Sequence, residues 1–262
     1  MTPLVQLGPL AVAPSRPVPQ SGDMEDGFGR RIEYLRISVT DKCNLRCVYC
    51  MPEEGLPWLR REQILRYEEI AQIVRVMAGA GLRKVRLTGG EPLVRRDLSA
   101  LVRMIRAVPQ IRDVSLSTNA VLLEEQAEEL RDAGVDRVNV SLDSLRADRI
   151  DAISRRAGSA EMIFRGLDAA ERVGFGPIKV NCVVMRGRND DEVADFAAIT
   201  RERPWHVRFI EVMPIGAGAE SRGLAPAEAR KLLLAQWPDL HPVDEHRGNG
   251  PARYDASARL LG

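Results

Sequence analysis

Residues 34–52 read YLRISVTDKCNLRCVYCMP, and the rest of the chain is best understood outward from them. The first six residues, YLRISV, have the β-branched and aromatic character of a strand. The segment after them places Cys43, Cys47 and Cys50 within eight positions, leaving Cys182 as the only other cysteine of the chain. A predicted strand that runs straight into a loop of three thiols raises two questions: how the chain continues beyond the loop, and what the thiols hold.

The chain continues by alternation. YEEIAQIVRVMAGAG (67–81) predicts a helix, with Ile70, Ile73, Val74 and Met77 at spacings of three and four and Gly81 as its stop. Further strands are predicted at 84–88, 113–118, 137–142, 178–185 and 206–213, and further helices at 97–108, 124–134, 161–174 and 190–202, with Asp97 as a helix N-cap. Six strands separated by five helices imply a parallel sheet with right-handed crossovers, either open and doubly wound or rolled into a partial or complete barrel. Both place their sites at the carboxyl ends of the strands. The cysteine loop, TGGEP (88–92), STN (117–119), SLD (141–143) and MPIG (213–216) all lie at the ends of strands, so they converge on one rim.

Composition narrows the class. The 262 residues are 45% apolar, enough for a sizeable core, and a formal net charge of +1 gives no reason to expect nucleic acid or an anionic membrane surface. There is no long apolar run and no signal-peptide pattern, so a cytoplasmic protein is expected. Residues 1–27 carry five prolines without periodicity and read as a flexible leader. The mixed charge runs around RRDL (95–98) and RGRNDDE (186–192) read as solvated helix starts.

Three clustered thiols have few uses. A disulfide framework wants an even set and an oxidising compartment. Structural zinc wants four ligands, and no suitable fourth lies near; Cys182, in VNCVVM, reads as a small buried hydrophobe. An iron–sulfur cluster held by three thiolates leaves one iron open to chemistry. The glycine pair of TGGEP, which could be a mere turn, lets a ligand approach the backbone at the same rim. Arg36, Arg86 and Lys179 lie inside predicted strands, where alternation would let all three point to one side. Cations there need carboxylate partners or a polar cavity, and three on one rim suit a triphosphate.

The C-x3-C-x2-C spacing of Cys43, Cys47 and Cys50, with Tyr49 before the third, resembles the signature of radical S-adenosylmethionine (SAM) enzymes, and TGGEP resembles their Gly-Gly-Glu segment, which lines the SAM amino group. That resemblance implies a partial (β/α)6 TIM-type barrel over 28–214, one SAM-reactive [4Fe-4S] cluster, and hydrogen abstraction by a radical derived from SAM. It narrows to the GTP 3′,8-cyclase family of molybdenum cofactor biosynthesis through FGRRIEYLRISVTDKCNLRCVYCMP, VRLTGGEPLVRRDL, STNAVLL, DRVNVSLDSL, KVNCVVMRGRNDDE, RFIEVMPIG and GPARY, in that order. It then implies that Cys43, Cys47 and Cys50 bind the cluster, that Tyr49, Gly90, Ser141 and Met213 line SAM, and that Arg36, Arg86, Ser117 and Lys179 face GTP. The implied partners are GTP, a reductant protein and, downstream, a cyclic pyranopterin monophosphate synthase; no nucleic acid or membrane is implied, and a homodimer is allowed. Family members carry three further C-terminal cysteines for a second cluster at the guanine base. This chain has no cysteine after Cys182. A second cluster is therefore not supported, residues 215–262 read as an incomplete C-terminal region, and weakened GTP binding with impaired cyclisation is expected. A shortened radical SAM enzyme with another substrate and a non-catalytic iron–sulfur module stay open as alternatives.

Overall fold

A computed structural model describes residues 24–214, 221–243, 253–258 and 260. Six strands form one parallel sheet: β1 (Tyr34–Ser38), β2 (Lys84–Thr88), β3 (Asp113–Thr118), β4 (Arg137–Ser141), β5 (Ile178–Val184) and β6 (Trp205–Glu211). Their spatial order is their chain order. A doubly wound sheet reverses its order once; this one never does, and β1 and β6 pair on one side only, as in a barrel left open.

The helices α1 (Tyr67–Gly79), α2 (Leu98–Arg106), α3 (Leu123–Ala133), α4 (Ala147–Ser154), α5 (Ser159–Arg172) and α6 (Val193–Ala198) run between the strands. Their apolar faces meet every second strand residue, including Val85, Leu87, Val114, Leu116, Val138, Val140, Ile178 and Val180, all at most 1% exposed. Burying one Leu or Val side chain contributes about 1.5–3 kcal/mol, so this outer layer holds the fold. Gly81 ends α1 as predicted: it adopts φ 106°, and the amides of Gly81 and Leu82 return to the carbonyls of Ala78 and Met77.

Some local expectations fail for physical reasons. Asp97 precedes α2 in a left-handed conformation (φ 56°) and makes no side-chain cap. The segment predicted as one helix over 190–202 is a short α6 flanked by 3-10 turns at Asp190–Glu192 and Ile199–Arg201. The two runs read as solvated are partly interior. Arg95 donates to Val39 O (2.6 Å) and Leu65 O (2.7 Å) and stacks on Tyr67, tying the end of β1 to the approach to α1. Glu192 is 2% exposed and accepts from Ser144 Oγ, Leu145 N and Arg149.

Of the expected leader, residues 1–23 lie outside the described residues, and Met24 N bonds to Ala80 O at 2.9 Å. Beyond β6 come α7 (Pro226–Gln236) and an antiparallel pair, β7 (His241–Val243) with β8 (Tyr254–Ala256). No helix among the described residues is long and apolar enough to cross a membrane.

Candidate active site

The cysteine loop leaves β1 at the carboxyl rim and is gripped from two sides. On one side lie Gly89 and Gly90. Gly90 N donates to Thr40 O (2.8 Å) and Glu91 N to Lys42 O (2.7 Å). A Cβ on Gly89 would sit 2.4 Å from Thr40 O, and one on Gly90 2.3 Å from Lys42 O. The glycines are thus required by the approach of the cysteine loop itself, which is a different demand from the ligand clearance read in the sequence. On the other side is the end of α4, whose Ser154 O and Ile153 O accept from Arg46 N and Val48 N. Arg155 and Arg156 add bonds to Met51 O and Asn44 O. Sequence reasoning missed α4 because it is only eight residues long, with Ile150 and Ile153 its only buried apolar positions.

Within this frame Cys43 and Cys47 are half-buried and Cys50 is exposed, and all three are free. Burial pushes each thiol above its usual range, Cys47 furthest. Among the described residues no three His, Cys, Asp or Glu side chains converge on a single ion; three thiolates that bind separate irons of one cluster need no such convergence. The donor set, three thiols on one doubly braced rim loop, fits a cluster with one iron left without a protein ligand.

Tyr49 turns from the loop toward β4, where its hydroxyl donates to Asp143 Oδ2 at 2.8 Å. Asp143 also accepts from Val183 N (2.8 Å), and burial raises its carboxyl to about 6. Its carbonyl receives the buried amide of Asn189, a second residue of the run read as solvated. A small cavity between the loop and β4 is walled by Cys47, Tyr49, Asn119, Ser141 and Asp143. Val212 packs beside Val48 and Tyr49, which sets the exposed Met213 at the adjoining rim. Gly90 and Ser141 are exposed there as well. Glu91 is 1% exposed; it accepts from Leu93 N, Thr118 Oγ1 and Asn119 N, and burial raises it to about 7.

The other face of the sheet is concave and polar. Strand register sets Arg36 beside Arg86, Arg86 beside Ser115, and Ser115 beside Arg137. One step toward the rim, Ser117, Asn139, Lys179 and His206 form the next row. Arg208 reaches across from β6 to Asn181 Oδ1 (2.9 Å) and Asn139 Oδ1 (3.1 Å). Arg137 pairs with Asp113, the single carboxylate among these inward strand positions. Arg86 donates to Ser115 Oγ (3.4 Å) and stacks on Tyr34. Lys179 is 2% exposed; burial first, then Arg208, Arg137 and Arg86, lowers it to about 8. Burial likewise lowers Arg86 and Arg208. The structure therefore brings Arg36, Arg86, Ser117 and Lys179 onto one face and adds Arg137 and Arg208. Both additions were detectable in RVNVSL and HVRFIEVM as cations in step with the inward positions of their strands.

The family model described as "Radical SAM superfamily" matches residues 37–199. GTP 3′,8-cyclase of Moorella thermoacetica is 49% identical over 240 residues, 91% of this chain and 73% of that protein. GTP 3′,8-cyclase of Heliobacterium modesticaldum is 49% identical over 242 residues, 91% of this chain and 74% of that protein. Among solved structures, Streptococcus suis SuiB bound to S-adenosylmethionine superposes with a TM-score of 0.59 at 16% identity, over 78% of this chain and 46% of that one. Methylornithine synthase gives 0.57 at 14% identity, over 78% and 60%. These two likenesses bear on the fold, and they agree with the open six-stranded barrel. The chain belongs to the radical SAM superfamily and, within it, to the family of the GTP 3′,8-cyclases.

Proposed function

We propose that this chain is a GTP 3′,8-cyclase, converting GTP to 3′,8-cyclo-7,8-dihydro-GTP in the first step of molybdenum cofactor biosynthesis. The observation that carries the reading is one of placement. A cation-rich concave face, with Arg36, Arg86, Arg137, Lys179 and Arg208 set against Asp113, belongs to the same half-barrel whose rim carries the three-thiol loop. Arg and Lys are the usual ligands of phosphate, and a triphosphate offsets the cost of holding these charges together.

In this reading Cys43, Cys47 and Cys50 hold the [4Fe-4S] cluster. Tyr49, Gly90, Ser141 and Met213 line SAM, and Arg36, Arg86, Ser117 and Lys179, joined by Arg208, hold GTP. When bound, the reduced cluster and SAM supply a carbon-centred radical able to take a hydrogen atom from the nucleotide ribose. The protein's own share is positional. The cations anchor the triphosphate on the concave face, so the nucleoside end reaches toward the rim. The walls around Tyr49 and Asp143 fix the SAM side and exclude water, and alignment of this kind is what converts binding into rate.

The test is anaerobic reconstitution with iron and sulfide, then dithionite and SAM, with 5′-deoxyadenosine measured with and without GTP. GTP should stimulate its formation, and analysis of the nucleotide product then tests the cyclisation. Deoxyadenosine formation indifferent to GTP would overturn the substrate reading and point to a radical SAM enzyme for another substrate.

A further inference from the structure

Asn119, at the end of β3, is held in place from every side. Its backbone amide donates to Glu91 Oε2 at 2.6 Å, and its side-chain Oδ1 accepts from Val121 N at 3.1 Å. The next residue, Ala120, is locked in a left-handed conformation (φ 63°), with its amide bonded to Thr118 Oγ1 at 3.0 Å. Helix α5 presses on the same corner: a Cβ on Gly166 would lie 2.2 Å from Ala120 O. Because Oδ1 is committed to Val121 N, the NH2 group must face the other way. There it meets Asn44 Oδ1 at 2.8 Å and Cys43 Sγ at 3.9 Å. Cys43 Sγ also accepts from Leu45 N at 3.4 Å and lies 4.0 Å from Asn44 Oδ1. A side-chain amide has two donors. One is used by Asn44; the second points at sulfur, at the long limit for a neutral thiol.

We propose that Asn119 is a positioning residue for the cluster: its side-chain amide donates to the Cys43 thiolate and raises the cluster's reduction potential. The inference rests on the reading of Cys43, Cys47 and Cys50 as cluster ligands. A thiolate is a stronger acceptor than a thiol, so the contact shortens when the ligand forms. A donor to ligand sulfur stabilises the electron-rich reduced cluster over the oxidised one, which is one of the means by which proteins set these potentials. A corner this constrained also lends rigidity, since the amide need not be ordered when the cluster binds.

The experiment uses the full chain, reconstituted without SAM, as wild type, Cys43→Ala, Asn119→Leu and Asn119→Asp. Iron and sulfide content, the visible spectrum and the midpoint potential from a titration followed by electron paramagnetic resonance are measured. Iron and spectrum should be retained in both Asn119 variants while the potential falls in both. The expected fall is about tenfold in the reduced-to-oxidised ratio at fixed poise, or about 59 mV for one electron. If Asn119→Leu does not fold, Asn119→Ser replaces it, because the shorter side chain can accept from Val121 N but cannot reach Sγ. Failure of the wild type to assemble a cluster, or full iron in Cys43→Ala, overturns the ligand reading and this inference with it. A normal cluster with unchanged potential in the Asn119 variants overturns the inference alone. A fall in Asn119→Asp without one in Asn119→Leu assigns the effect to charge and also overturns it.

Discussion

The two faces of the sheet share the same strands and differ in everything else. On the outer face Leu116, Val138 and Val180 are wholly buried against helices, within the apolar core. One residue along the chain, on the inner face, stand Ser117, Arg137 and Lys179. The outer face is explained by folding alone, since each side chain removes apolar surface from water. The inner face is not. Arg86, Lys179 and Arg208 all have lowered affinities for their protons, and burial is the leading cause in each. Their arrangement works against the stability of the free protein, as the proposed binding of an anionic ligand on this face would require. The period-two pattern thus separates what holds the molecule together from what it is for.

Substitutions on facing positions should separate these roles. The largest expected effect is on the outer face: Leu116→Ala should cost about 2–5 kcal/mol of unfolding free energy in a urea titration, through lost transfer and the cavity left behind. GTP affinity of the molecules that remain folded should change little. On the inner face Arg208→Ala should do the reverse. Hydrogen bonds to charged groups contribute about 1.5–3 kcal/mol, so the GTP dissociation constant should rise roughly 10- to 100-fold by calorimetry, with the urea midpoint unchanged or higher. If Arg208→Ala destabilised the fold as much as Leu116→Ala, the two faces would share one role and the comparison would fail.

Much of this was legible in the sequence because it is periodic or local. The strands come from alternation, the outer core from the apolar half of it, and the three thiols from their spacing. Arg36, Arg86 and Lys179 do share one face, as period-two reasoning requires, and Ser117, which the resemblance named, stands on the same face. What was not legible depends on contacts far apart in the chain. Nothing near Asn189 or Glu192 in RGRNDDE shows that these residues turn inward to bond the segment after β4. Arg95 looks like any helix-start arginine until Val39 O and Leu65 O are brought beside it. The glycine pair is similar: its need for glycine is set by the carbonyls of Thr40 and Lys42, some fifty residues earlier in the chain. Helix α4 fell below the periodic signal, yet it braces the cysteine loop. The tertiary supports of a site are what a single sequence hides best.

The smallest effect is also the sharpest test of the inner face, because it reads a proton. Lys179 has a pKa of about 8 in the free protein, against 10.5 when solvated. Between those values the unfolded chain keeps the proton and the folded chain does not, so stability should rise with pH across that interval, by at most about 1.4 kcal/mol per unit. An anion on the concave face reverses the preference by favouring the charged lysine. Above pH 8 GTP must then bind together with a proton, and its dissociation constant should rise between pH 8 and 9 by up to about tenfold. Lys179→Met removes the titrating group, so it should flatten both dependences while leaving the outer face untouched. Calorimetry and urea unfolding at pH 7, 8 and 9 would show it. A slope that persists in Lys179→Met would place the coupled proton on another group, and would mean that the lysine is buried for packing, as its neighbours on the outer face are.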